Sequence, residues 1–101
     1  MHDVEKIVRV RVSGRVQGVG FRAFVQREAE ACAVNGWVRN RRNGDVEAVF
    51  AGSAEAVATL CEACRRGPSP ARVESVEISE ADCRVLAEAG EVDGFFQLTT
   101  V

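Results

Sequence analysis

A glycine-rich turn and the arginine that follows it carry the clearest chemistry in the sequence. Gly18, Val19 and Gly20 precede a stretch with helical periodicity, and Arg22 falls in the first turn of that predicted helix. These three residues offer no side-chain acceptor for the first helical N–H groups, and the arginine is a cation at the positive end of the helix dipole. A bound anion would remove both penalties. The turn is therefore a candidate phosphate site, and a glycine turn beside a solvated arginine is the alternative.

The rest of the sequence narrows the phosphate chemistry. A P-loop needs a lysine after the glycines, but the only lysine is Lys6. No cysteine lies near the turn to act as a phosphatase nucleophile, His2 is a poor candidate for a phosphohistidine, and no clustered aspartates suggest a two-metal site. The remaining route holds the phosphoryl group, neutralises its charge and aims a water at it. Such a route suits a good leaving group, as in a mixed carboxylic–phosphoric anhydride.

The cysteines do not form a convincing metal site. Cys61 and Cys64 have a ligand-like spacing, but zinc would need two further ligands nearby, and the only histidine is His2. The pair also shares an apolar helical stripe with Val57 and Leu60. We expect both thiols to be buried as small hydrophobic groups, and no metal or cofactor is predicted.

The elements that must position the turn follow from hydrophobic periodicity. Val8, Val10 and Val12 alternate with arginines and predict a strand before the turn at residues 13–20. The later elements are predicted as a helix at 21–32, strands at 37–41 and 46–51 around an Asn-Gly turn at 42–45, a helix from Ser53 to Gly67, a strand at 72–79, a helical turn at 84–88 and a strand at 95–100. The order β-α-β-β-α-β predicts an α+β, ferredoxin-like fold, with two helices on one face of an antiparallel sheet.

The length and net charge of the chain limit the number of domains it can form and the classes of partner it can bind. A chain of 101 residues fits one domain spanning 1–101, and its net charge of −2 does not suggest a polyanion partner. Its apolar runs are too short to span a bilayer, and the charged N-terminal residues do not resemble a signal peptide. We therefore expect a cytoplasmic monomer that binds a small molecule and neither nucleic acid nor membrane.

Two segments resemble the signatures of the acylphosphatase family. Residues 12–22 are similar to the first signature at every position. The second resemblance begins at residues 36–40 and continues at the family spacing with Gly44, Val46 and Gly52. In all, the resemblance covers about residues 7–79, and the tail after residue 80 departs from the family pattern. Two long motifs in the correct order and separation identify the family far more specifically than a glycine turn alone.

The resemblance implies metal-independent hydrolysis of an acyl phosphate to a carboxylate and inorganic phosphate, the latter also a competitive inhibitor. Arg22 would bind the phosphate, and Asn40 would orient the attacking water, since an amide both accepts and donates hydrogen bonds. Asn40 is not a strong base, so a phosphate oxygen would receive the proton. The phosphate-binding loop would be formed by the backbone of Arg15, Val16, Gln17, Gly18, Val19, Gly20 and Phe21.

Two other functions remain open. Similar domains begin hydrogenase-maturation carbamoyltransferases, so the chain could be an accessory domain acting on carbamoyl phosphate. An RNA-binding module has the same architecture, but it needs exposed aromatic residues on the central strands, and the third strand supplies only Phe50. The physiological acyl phosphate is not indicated by any residue.

Residues near the second signature have plainer interpretations. Arg39, Arg41 and Arg42 could raise the local concentration of anions, but solvated surface arginines are the preferred interpretation. Trp37 is expected to pack rather than bind substrate. Asn40, taken without the motif, would be read as a strand-end residue that caps a turn.

Overall fold

Alternating valines near the N-terminus form an interior strand of the sheet, paired on both sides. The computed structural model describes residues 5–86 and 93–101. In chain order their elements are β1 (Glu5–Arg15), α1 (Phe21–Ala31), β2 (Asn35–Asn40), β3 (Val46–Ser53), α2 (Ala54–Arg66), β4 (Arg72–Glu80), α3 (Cys83–Leu86) and β5 (Phe95–Gln97). The described strands form one sheet in the order β4-β1-β3-β2-β5. The predicted α+β, ferredoxin-like class is confirmed.

The two long helices cover one face of the sheet. Their buried side chains, such as Leu60 of α2, meet strand residues that point to that face, such as Val10 and Phe50, and all three are 0% exposed. Each fully buried side chain of this size stabilises the fold by roughly 1.5–3 kcal/mol. Within residues 5–86 and 93–101, no helix combines the length and the apolar character that crossing a bilayer requires.

The cysteine pair of α2 belongs to this core, as predicted. Cys61 and Cys64 are buried together with Val57 and Leu60 on the face of α2 that meets the sheet. Burial raises the pKa of both thiols, to about 12 for Cys64, because a thiolate is poorly solvated there. At neutral pH both groups are therefore protonated and unreactive.

The other face of the sheet is partly covered by α3. Trp37 is fully buried there, and its indole Nε1 donates a hydrogen bond of 2.6 Å to the Val85 carbonyl oxygen. Trp37 therefore packs, as expected. Because both faces of β3 are covered, its residues from Val46 to Ala51 are all buried, Glu47 included, whereas a one-sided strand would alternate.

The C-terminal residues follow the outer side of β2. β5 runs parallel to β2, with Gln97 opposite Val38, so the sheet is mixed where a wholly antiparallel one was predicted. β5 is shorter than expected, but the pairing continues past it: the Leu98 and Val101 N–H groups donate to the Val38 and Asn40 carbonyl oxygens at 2.9 and 3.3 Å. The predicted helical turn at 84–88 is observed as α3, and positions 87 and 88 lie outside the described residues.

The first strand is longer than the valine alternation indicates. β1 continues to Arg15, which pairs with Arg72 of β4, so residues 13–15 belong to the strand instead of the predicted turn. The pairing of β1 with β4 shifts its register between Ser13 and Gly14, as at a β-bulge. Beyond this shift β1 remains paired with β4. The loop into α1 is thereby reduced to residues 16–20.

The turn between β2 and β3 lies where it was predicted but has another form. The Arg41 N–H donates to the Asp45 carbonyl oxygen at 2.8 Å, and the Gly44 N–H donates to the Arg41 carbonyl oxygen at 3.0 Å. Of these residues only Gly44 has a positive φ, whereas a two-residue Asn-Gly turn would need one at both. Asn43 caps the turn instead, its Oδ1 accepting a 3.0 Å hydrogen bond from the Asp45 N–H.

A buried carboxylate gathers three arginines on the face opposite α1 and α2. Glu47 is 2% exposed, and its oxygens lie 3.2 Å from Arg9 Nε, 3.0 Å from Arg39 Nε and 2.9 Å from Arg41 Nη1. Burial acts to raise the pKa of Glu47, but the hydrogen bonds and charges of Arg41 and Arg39 outweigh it and hold that pKa below its ordinary value.

The interpretation of Arg39 as a solvated arginine is wrong: its side chain is 12% exposed, with its guanidinium carbon 4.5 Å from the Trp37 ring centroid.

The Glu47→Gln substitution should lower the free energy of unfolding by roughly 1–3 kcal/mol at neutral pH, because it leaves partly buried guanidinium groups without their counter-charge. A depressed folded-state pKa gives stability that is complete above the unfolded-state pKa and is lost as the pH falls through the folded-state pKa. Urea unfolding across the acid range should therefore show a steeper loss in the wild type than in the variant.

The exposed Glu80 of β4 provides the matched control for this prediction. Glu80→Gln should leave both the stability and its pH dependence close to those of the wild type. Equal pH dependence in Glu47→Gln and wild type would show that Glu47 does not carry the effect.

Candidate active site

The two long helices begin in opposite ways. At α2 the Ser53 hydroxyl accepts a 3.1 Å hydrogen bond from the Ala56 N–H, and Glu55 lies in the first turn. At α1 the N-cap is Gly20, in a left-handed conformation (φ 82°, ψ 19°), with no side-chain cap and no acidic residue in the first turn. The first helical bond runs from the Phe24 N–H to the Gly20 carbonyl oxygen at 3.0 Å. The earlier N–H groups of α1 are therefore available to an anion.

A pocket opens at this uncapped helix end. It encloses about 150 Å³. That is several times the space that one water needs, so a small anion and a water fit together. Its lining comes from the loop after β1, the first turn of α1, the end of β2 and the end of β5, namely Val16, Gly18, Gly20, Phe21, Arg22, Ala23, Asn40 and Gln97. Arg22 and Asn40, predicted from separate segments, thus lie on one pocket.

Gly18 and Gly20 leave the backbone open on the pocket side. Both have positive φ, at 74° and 82°, and a Cβ added at either would meet no atom within 4 Å. Gly14 differs, because a Cβ there would lie 2.2 Å from the Arg72 carbonyl oxygen. Gly14 is required by strand packing, whereas the two loop glycines are required by backbone conformation alone. The space they leave allows a ligand to approach the backbone closely.

Arg22 brings positive charge to the pocket. Among the described residues no carboxylate pairs with its guanidinium, in contrast to Arg39 and Arg41, which pair with Glu47. The described residues that line the pocket carry no carboxylate, imidazole or thiol. The positive end of the α1 dipole adds to the same field. The pocket is therefore suited to an anion with several acceptor oxygens.

Asn40 reaches the pocket from the last position of β2. It pairs with Val46 of β3, and its backbone oxygen accepts the hydrogen bond from Val101. In the part of the chain that the structure describes, its side-chain amide makes no hydrogen bond. The turn-capping interpretation is wrong for Asn40, because Asn43 supplies that cap. The amide is thus free to accept from one group and donate to another.

The seven predicted loop residues do not all face the pocket. Val16, Gly18, Gly20 and Phe21 line it. The other three point elsewhere: Arg15 ends β1 and is exposed, Val19 packs against the core, and Gln17 reaches the β2–β3 turn. A backbone role in phosphate binding remains a prediction for all seven.

Two pocket residues were not predicted. Ala23 follows Arg22 in α1, and Gln97 ends β5. The Gln97 amide nitrogen donates a 2.8 Å hydrogen bond to Gln26 Oε1, and Gln26 in turn donates to the Phe95 carbonyl oxygen at 3.0 Å. No local sequence pattern predicted Gln97 as a pocket residue. Its position depends on the parallel pairing of β5 with β2, and these two strands are far apart in the chain.

Comparison with known proteins gives one consistent family. The acylphosphatase family model matches residues 8–94. An acylphosphatase of Nitrobacter winogradskyi is 50% identical over 101 residues, the whole of both chains. The solved structure of an acylphosphatase from Coxiella burnetii has a TM-score of 0.82 and 36% identity, covering 93% of each chain.

One further solved structure shares the fold in a larger protein. Full-length HypF, in its phosphate- and nucleotide-bound form, matches with a TM-score of 0.83 at 21% identity. The match covers 96% of this chain but 12% of that one. At this identity the likeness shows the fold alone.

If the pocket binds inorganic phosphate, as its residues predict, phosphate should raise the midpoint of thermal unfolding, because it would stabilise the folded chain and not the unfolded one. At about 100 times its Kd it should add about 2.7 kcal/mol of stability. Arg22→Ala should abolish most of this shift. Arg27→Ala, an exposed arginine of the same helix outside the pocket, should preserve it. A full phosphate shift in Arg22→Ala, measured by differential scanning calorimetry, would place the anion elsewhere.

Proposed function

The chain belongs to the acylphosphatase family and is a hydrolase of acyl phosphates, and from this premise we propose which groups carry the reaction. The phosphoryl group binds at the N-terminus of α1 against Arg22, and Asn40 holds the attacking water. The observation that carries the proposal is the pocket itself, in which both side chains border the open backbone of Gly18 and Gly20.

Arg22 and the loop backbone act on the phosphate. The guanidinium and the uncapped N–H groups of α1 donate to the phosphate oxygens and spread their negative charge. These donors are already oriented in the free enzyme, since Gly20 fixes the helix start and Arg22 has no competing carboxylate among the described residues. Little reorganisation is then needed when charge develops in the transition state.

Asn40 acts on the water. Its amide oxygen accepts a hydrogen bond from the water and its amide nitrogen can donate one to the phosphate, which aligns the water with phosphorus. Water attacks phosphorus, the bond from phosphorus to the carboxyl oxygen breaks, and the carboxylate leaves. An amide cannot take the proton, so a phosphate oxygen receives it, and the products are carboxylate and inorganic phosphate.

We propose that the reaction needs no metal. The described pocket residues supply an arginine, two amides and backbone groups, which are not the carboxylate ligands that magnesium uses. The charge of Arg22 and the helix dipole supply the electrostatic stabilisation instead. A carboxylate leaving group also makes less demand on catalysis than an alkoxide.

The alternatives receive less support. The burial of Phe50 and Trp37 argues against the RNA-binding alternative, because both side chains are 0% exposed and no base can stack on them. The accessory-domain alternative has a parallel in two solved HypF structures, but the chain covers only 12% of each, at 21% and 30% identity, whereas it matches the whole length of the Nitrobacter winogradskyi acylphosphatase at 50%. We therefore keep a general acyl phosphate as the substrate.

We further propose a monomer that works in the cytoplasm. The large hydrophobic side chains that are exposed in the described residues, Ile78 and Val101, are single and do not form a patch. The four cysteines are free thiols, which suits a reducing compartment.

The first test is hydrolysis of benzoyl phosphate with and without EDTA. The rate should be the same in both, because no metal takes part. Inorganic phosphate should raise KM and leave kcat unchanged, because it occupies the site of the substrate phosphoryl group. Loss of activity in EDTA that magnesium or zinc restores would contradict the metal-free route.

The two site residues should fail in different ways. Arg22→Ala should raise KM and lower kcat, because the guanidinium contacts the phosphate in both the ground and transition states. Asn40→Ala should lower kcat by about 100-fold or more while the inhibition constant of phosphate changes little, because the water loses the group that aligns it while Arg22 and the loop backbone still hold the phosphate.

Matched controls lie on the same elements. Arg27→Ala on α1 and Asn35→Ala at the other end of β2 remove the same groups outside the pocket. Both should retain nearly wild-type kcat. An Asn40→Ala protein with full kcat would remove the water-positioning role.

A further inference from the structure

We propose that the Gln17 side chain is a positioning residue, which holds Asn40 in place relative to the phosphate-binding loop. The inference rests on the proposed function, since it concerns how the water-holding group is aligned with the bound phosphoryl group. Gln17 does not line the pocket. It acts through the backbone beside Asn40.

The Gln17 amide makes two hydrogen bonds to one turn. Its Nε2 donates to the Arg41 carbonyl oxygen at 2.7 Å and to the Asp45 carbonyl oxygen at 2.8 Å. An amide nitrogen has two hydrogens, so both are used. Because both partners can only accept, the nitrogen end of the amide must face the turn.

The two acceptors are the residues that close the β2–β3 turn. The Arg41 N–H donates to the same Asp45 oxygen at 2.8 Å, so Gln17 binds to an already paired site. Arg41 follows Asn40 directly in the chain. Gln17 itself stands between Val16 and Gly18, both of which line the pocket. One side chain therefore connects the middle of the loop to the residue next to Asn40.

The sheet by itself does not make this connection. β3 lies between β1, which leads into the loop, and β2, which ends at Asn40. The loop contains Gly18 and Gly20 and is free of strand pairing, so its backbone has many accessible conformations without an added contact. A displacement of about 1 Å between bound phosphate and water can cost about 100-fold in rate. The Gln17 contact should therefore matter for turnover more than for phosphate affinity.

Two substitutions separate the donor role from simple packing. Gln17→Met retains length and bulk but has no donor. Gln17→Glu retains shape but presents a carboxylate to two carbonyl oxygens, and it recovers one O–H donor only when protonated. Both should be measured alone and with Asn40→Ala, for kcat and KM with benzoyl phosphate and for inhibition by inorganic phosphate.

Gln17→Met should lower kcat by about 10- to 100-fold while the phosphate inhibition constant changes less than about twofold. In the Asn40→Ala background the same substitution should lower kcat by less than about twofold, because no positioned water is left to misalign. For Gln17→Glu, the kcat relative to wild type should rise as the pH falls and the carboxyl becomes protonated.

Ser53→Ala is the matched structural control. It removes a side-chain hydrogen bond to backbone at the far end of β3, so it should lower the thermal midpoint and leave kcat unchanged in both backgrounds. The inference would be overturned if Gln17→Met lowered kcat equally in the wild-type and Asn40→Ala backgrounds, or if it left the wild-type kcat unchanged. It would also be overturned if the kcat of Gln17→Glu relative to wild type did not change with pH.

The two proposals fail in distinguishable ways. Full turnover in Asn40→Ala alone would overturn the proposed role of Asn40, and the positioning role of Gln17 with it. Lost turnover in Asn40→Ala, combined with equal effects of Gln17→Met in both backgrounds, would overturn only the role of Gln17. If Gln17→Met does not fold, the pH response of Gln17→Glu decides.

Discussion

The register of β3 is the constraint on which the rest of the site depends. Val46 pairs with Val12 of β1 on one side and with Asn40 of β2 on the other. Since neighbouring strands lie about 4.8 Å apart, Asn40 is fixed about 10 Å across the sheet from the strand that leads into the phosphate-binding loop. A slip of one residue in β2 would turn Asn40 to the other face and bring Arg39 or Arg41 to the pocket side. Hydrophobic burial on both faces of β3 opposes such a slip.

The charged side chains near the end of β2 lie on the face of the sheet opposite the helices. Asn40 shares the helix-covered face with Val38, whereas Arg39 and Arg41 lie on the opposite face, where Glu47 binds both. Glu47 thus partly offsets the charge of arginines that would otherwise compete with the pocket for an anion. Arg22 has no such counter-charge among the described residues. The anion preference of the pocket comes from where the carboxylates are, as much as from where the arginines are.

Local sequence features marked the proposed phosphate-binding half of the site but not the proposed water-positioning half. The missing cap and the first-turn cation of α1 are local features, so they could be recognised before any fold was known. Asn40 needed the family resemblance, because a strand-end asparagine has a simpler explanation until Asn43 is seen to cap the turn. The contacts that Glu47 makes with arginines of other segments, and the pocket position of Gln97 through the pairing of β5 with β2, depend on how separate segments come together. Patterns within one segment cannot reveal such contacts.

The start of α1 lacks the local stabilisation that the start of α2 has. α2 has a serine cap, a first-turn acid and arginines in its last turn, all of which stabilise a helix. α1 lacks the cap and the acid and follows two glycines with positive φ, so its N-terminus is destabilised in the absence of ligand. Donors left unpaired in the free protein can bind the transition state without first breaking an internal contact. The core valines and the contact of Gln17 with the β2–β3 turn can hold such a loop in place. The loop can therefore keep unpaired backbone N–H groups that would be hydrogen-bonded within the protein in a purely structural turn.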